Sequence, residues 1–133
     1  MMRRVAVFAA VLALAVAGVA AAGVATAEPT PPCSYTLSAP QVVQVSGASM
    51  VTATVSPVGC AAPSNPSLSV ACLQLQGSDG PGLCAHANGP VAAHVFAPYR
   101  PGTTYISSGK GCASTGNPPR SLCDVVGPAT ATL

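Results

Sequence analysis

The chain has 133 residues, of which 50% are hydrophobic, 6% charged and 4% aromatic, with no tryptophan and a formal net charge of +2. That charge belongs to Arg3 and Arg4; beyond residue 27, Arg100, Lys110 and Arg120 balance Glu28, Asp79 and Asp124. Nucleic-acid binding needs several phosphate-neutralising cations and usually stacking aromatics, and a membrane-surface face needs clustered Lys or Arg, so both classes of partner are excluded.

Residues 1–27 read as a signal peptide that enters the membrane as a helix. Arg3 and Arg4 form a basic n-region, Val5 to Val24 are almost wholly apolar, and Ala25-Thr26-Ala27 is a small-x-small cleavage site. The apolar run is long enough to span a bilayer, so an uncleaved anchor is the alternative. Its alanine and glycine content, the cleavage tripeptide and the lack of a basic stop-transfer flank favour removal by the general secretory route. The expected location is therefore secreted or cell envelope, with no membrane contact after cleavage. Residues 28–32, Glu-Pro-Thr-Pro-Pro, predict an extended tail, and residues 33–133 suffice for a single small domain.

All 14 prolines follow residue 28 and leave little room for helices. Gln41–Val45 and the alternating Val51, Ala53 and Val55 flank Ser46-Gly47-Ala48 and predict a first hairpin. Leu68, Val70 and Cys72 alternate with Ser67, Ser69 and Ala71; the apolar phase then passes to Leu73 and Leu75, which predicts a bulge or bend near Cys72. Val91, Ala93 and Val95 alternate with Ala92, His94 and Phe96. Thr103–Ser107 and Ala129–Leu133 read as the last strands. Short strands at roughly ten-residue spacing, separated by Gly and Pro, predict an all-β antiparallel sandwich.

The six cysteines form three pairs, each around a turn signal: Cys33 and Cys60 around Ser46-Gly47, Cys72 and Cys84 around Gly77–Gly82, Cys112 and Cys123 around Gly116–Pro119. This pattern predicts three disulfides, each stapling one hairpin, as exported domains with small cores commonly require. The chain-entropy model gives such loops about 3 kcal/mol each. If Cys33 opposes Cys60, the same register opposes Val43 to Met50, and a one-residue bulge at Pro40 with Ala53 facing inward reconciles the two halves of the hairpin.

Pro98-Tyr99-Arg100-Pro101-Gly102-Thr103-Thr104-Tyr105 resembles the Pro-Gly-Thr-x-Tyr approach to a late strand of fibronectin type III and immunoglobulin-like domains. The resemblance implies an immunoglobulin-like sandwich in which the Tyr105 hydroxyl ties the strand start to the preceding corner. It also implies that Cys33, Cys60, Cys112 and Cys123 share one pole, which makes Cys60–Cys112 the competing pair. The chain as a whole resembles the small Ala/Val/Pro-rich secreted proteins of high-GC Gram-positive bacteria. In architecture it is similar to the secreted apoproteins that carry antitumour chromophores, a likeness that carries no site residues.

The catalytic inventory is thin. His86, His94, Asp79 and Asp124 could be assembled with a serine only on paper, and no Gly-x-Ser-x-Gly elbow is present. Cys84-Ala85-His86 reads as a disulfide cysteine beside a surface histidine, so no metal and no cofactor are expected. The expected function is an exported, non-enzymatic and monomeric binding or structural module whose partner is a protein or a cell-envelope component. Tyr99 and Arg100, of residue types enriched at interfaces, are the candidate partner contact, and the segment Lys110–Arg120 is a second exposed loop. The alternative is a small-molecule carrier with a cleft between sheets and loops, motivated by the alanine-rich core.

Overall fold

The computed structural model of the protein describes residues 30–80 and 82–133, and Gly23. The signal peptide, and Glu28-Pro29 of the tail, lie outside the described residues apart from Gly23. Thr30–Pro32 carry no regular structure, and the Pro32 carbonyl accepts a hydrogen bond from the Ala61 N–H at 2.8 Å.

The described chain is all-β. Its strands are β1 (Cys33–Leu37), β2 (Gln41–Val45), β3 (Ala48–Cys60), β4 (Asn65–Leu75), β5 (Leu83–Asn88), β6 (Ala93–Pro98), β7 (Thr104–Thr115) and β8 (Arg120–Thr132). They form two antiparallel sheets. In the first, Val51 pairs with both Val42 and Ala97, and Val55 with both Leu37 and Ala93. β1 and β2 therefore lie end to end along one side of β3, with β6 on the other. The second sheet has the order β5-β4-β7-β8.

The β2–β3 hairpin turns through Ser46 and Gly47, both at positive φ (51° and 81°) between the directly opposed Val45 and Ala48. Glycine adopts this conformation without steric cost, and two positive φ values match the twist of the flanking strands. Cys33 opposes Cys60 and Val43 opposes Met50, as the sequence register requires. A shift between Ser34 and Tyr35 leaves Val58 unpaired. The shift is undone across Ser38-Ala39-Pro40, where pairing passes from Leu37–Val55 to Gln41–Thr52. The sequence placed a bulge at Pro40; the structure adds its counterpart at Val58.

Tyr35 and Leu37 of β1, Val51, Ala53 and Val55 of β3, and Ala93, Val95 and Ala97 of β6 belong to the core. The facing sheet answers with small residues. Ser69, Ala71, Ser107 and Ala113 are buried there with Leu73 and Tyr105, and Gly109 and Gly111 occupy the same inward face. A Cβ on Gly109 would stand 2.6 Å from Val55 Cγ2, and one on Gly111 would collide with the ring of Tyr35. Large side chains on one sheet thus meet bare backbone on the other, and the sheets close tightly. Ser107 Oγ donates to the Ser38 carbonyl at 2.9 Å, which joins the two sheets by a buried polar contact.

No bulge occurs at Cys72, and this corrects the sequence reading. β4 pairs continuously with β5 from Leu68 to Leu73 and with β7 from Leu68 to Leu75; its irregularity lies at Ser67. Ser69, Ala71, Leu73 and Leu75 face inward, while Leu68, Val70 and Cys72 face outward. The phase change is an exchange between two apolar faces of one regular strand. Glycines on β7 leave room for sheet contact only if β4 presents its smaller residues inward.

Candidate functional site

The disulfides are Cys33–Cys60, Cys72–Cys84 and Cys112–Cys123, and no cysteine is free. Each joins directly opposed residues of neighbouring strands, with Cα–Cα distances of 4.0, 4.1 and 3.9 Å. The Cys60–Cys112 alternative is not adopted. Cys33 is buried at one pole, whereas Cys84 and Cys123 are exposed on the outer surface of the β5-β4-β7-β8 sheet, termed the four-stranded sheet for its single unbroken strand order.

That outer surface is unusual in composition. Directly opposed residues share a face of a sheet, so the pairings define its rows. Asn88, Leu68, Cys112 and Cys123 form one row; His86, Val70, Lys110 and Val125 form the next; Cys84, Cys72 and Ser108 form a third. The middle row is bounded by a disulfide on either side. A shallow groove of about 250 Å³ lies here, lined by Val70, Cys72, Ser108, Gly109, Lys110 and Val125. Val125 is 76% exposed, the most open large aliphatic side chain of the domain. Leu68 and Val70 beside it are half-buried. Nothing in the linear pattern marks this face, because Lys110 sits in a segment that reads as loop and Val125 outside the strands read from the sequence.

A second recess, of about 190 Å³, opens at the end of the sandwich between β4, β5 and β6. Leu73, Leu75, Leu83, Ala97 and Tyr105 line it, with Arg100 at its edge. The Tyr105 hydroxyl donates to the Pro98 carbonyl at 2.8 Å and accepts from the Arg100 N–H at 2.9 Å. The tie between strand start and corner that the resemblance implied is therefore present. It separates the two candidate contact residues. Tyr99 is half-buried and packs against the core, and only Arg100 is exposed. Lys110–Arg120 is not a loop: Lys110 to Thr115 belong to β7, and only residues 116–119 form the turn.

His94 lies on the outer face of the first sheet, where Nδ1 is 2.9 Å from Thr54 Oγ1. Asp124 lies on β8 of the other sheet, paired with Gly111, and Asp79 lies in the turn after β4. The structure brings no histidine and carboxylate among these into one constellation. Among the described residues no group of three or more His, Cys, Asp or Glu could hold a metal ion. No helix of the described residues is long and apolar enough to cross a membrane. The Tyr35 phenol sits above its ordinary range because burial disfavours the phenolate, and it donates to the Cys112 carbonyl. Comparison with known proteins finds no matching family model, no matching curated protein and no matching solved structure.

Proposed function

We propose that the protein is an exported, non-enzymatic binding module that acts as a monomer and takes a small apolar molecule on the outer face of its four-stranded sheet. One observation carries this reading: β4 turns Leu68, Val70 and Cys72 away from the core, and Val70 and Cys72 line a groove on that outer face. Burying such side chains against a ligand recovers hydrophobic free energy that folding leaves unused. The disulfides hold the floor in a fixed shape, which lowers the ordering cost of binding. Three disulfides are consistent with an oxidising extracellular or periplasmic location.

The arrangement of sheets, with the Tyr105 corner, is in keeping with an immunoglobulin-like layout. Partner binding through the Tyr99–Arg100 corner is the weaker reading, since Tyr99 is occupied in packing.

The test is fluorescence titration of the folded protein with N-phenyl-1-naphthylamine, a neutral apolar probe. Saturable binding is expected, weakened about fivefold by Val125→Asn, which removes an apolar wall at an exposed position. Binding that ignores this substitution sinks the groove as the site.

A further inference from the structure

We infer that the ligand of the groove carries one acidic group, and that Lys110 is the residue that reads it. The inference rests on the reading of the outer face as a binding surface and adds the chemical class of its occupant: an apolar ring system bearing a carboxylate or sulfonate.

Lys110 stands in the middle of the groove's central row, directly opposed to Val70 on one side and Val125 on the other. A lysine so placed lays its aliphatic stem along apolar neighbours and holds its ammonium at the groove surface. The face offers it no carboxylate. Asp124 pairs with Gly111 and by strand alternation points to the other face, and Asp79 lies in the turn beyond Gln74, outside the residues that line the groove. The other polar groups of the three rows are neutral hydroxyl and amide side chains and the imidazole of His86.

The groove therefore combines an apolar floor, the Cys72–Cys84 disulfide at one side and a single cation with no acidic counterpart on its face. A neutral apolar ligand would cover the ammonium and lose part of its hydration without compensation. A ligand with an anionic group at the ring edge instead replaces water with a charge-assisted hydrogen bond. Complementarity of shape and charge thus selects the amphipathic anion over the neutral molecule. Arg100, the other exposed cation beside a recess, lies at the end of the sandwich and is not among the groove residues.

The experiment compares two probes that share one ring skeleton: 1-anilinonaphthalene-8-sulfonate, which is anionic, and N-phenyl-1-naphthylamine, which lacks the sulfonate. Both are titrated into the natively folded protein and into Lys110→Met and Arg100→Met. The sulfonated probe is expected to bind more tightly. Lys110→Met should weaken it about tenfold while leaving the neutral probe within about twofold, and added salt should weaken only the sulfonated probe. Arg100→Met should change neither. If Lys110→Met leaves the sulfonated probe unaffected while the neutral probe still depends on Val125, the acidic-ligand inference falls and the groove stands. Loss of the sulfonated probe on Arg100→Met would move the anion site to the end recess and overturn the assignment to Lys110. If neither probe binds, the groove reading fails and the inference with it.

Discussion

The ring of Tyr35 lies over Gly111, in the space that a side chain at position 111 would need. This contact joins the first strand to the core of the four-stranded sheet, and the Tyr35 hydroxyl extends it to the Cys112 carbonyl next door. Gly111→Ala should destabilise the protein by about 3 kcal/mol, as overpacking of a close sheet contact does. Thermal unfolding of the single variant and of Gly111→Ala/Tyr35→Leu checks it, since the smaller side chain should recover part of the loss. Additive effects of the two substitutions would contradict the contact.

Tyr105→Phe removes one hydroxyl that serves two backbone groups, the Pro98 carbonyl and the Arg100 N–H. With the ring retained, the expected cost is that of leaving both unpaired beside the core, about 2 kcal/mol. Chemical denaturation should show a lower midpoint with an unchanged slope.

Non-reducing peptide mapping should return Cys33–Cys60, Cys72–Cys84 and Cys112–Cys123 and no free thiol. Replacing Cys33 and Cys60 together by serine should cost more stability than replacing either other pair, because their separation of 27 residues exceeds 12 and 11. The chain-entropy model puts the loss at about 3.5 kcal/mol against about 3 for the shorter loops. Equilibrium unfolding of the three double variants gives the order.

Burial raises the Tyr35 phenol above its ordinary range. The folded state therefore holds the proton more tightly than the unfolded chain does. The stability this confers is complete below the unfolded phenol range and is lost as pH rises through the folded one. Ultraviolet titration should find a tyrosine step later than in the denatured protein, and Tyr35→Phe should remove that step. A titration curve that Tyr35→Phe leaves without loss of any late step would contradict the burial of Tyr35.

Val125→Asn should bind the neutral apolar probe more weakly with its thermal midpoint shifted by less than the equivalent of about 0.5 kcal/mol, because the side chain is 76% exposed and supports no core contact. Loss of stability of several times that size would assign Val125 to packing instead of to the groove.

What could be read along the chain were the features whose physics is local. Ser46-Gly47 between two β-prone apolar runs has one low-energy outcome, a tight hairpin, and the cysteines around it are then brought opposite each other. Val51, Ala53 and Val55 alternate with polar residues, so only one of their faces could be buried, and all three are fully buried. The Tyr105 corner was legible through a different route, the resemblance of Pro101-Gly102-Thr103-Thr104-Tyr105 to a known strand entry.

β4 was not legible in this way. Both of its faces are apolar enough to be buried, so its period could not say which one meets the core. Gly109 and Gly111, some forty residues later in the chain, decided it: their bare backbone lets Val55 and Tyr35 approach, and only the smaller face of β4 fits beside them. The groove is the other consequence of that choice. Val70, Lys110 and Val125 come from three strands and become neighbours through sheet pairing alone. Hairpins and staples follow from neighbours along the chain, whereas the face that binds follows from which sheet surfaces can close on each other.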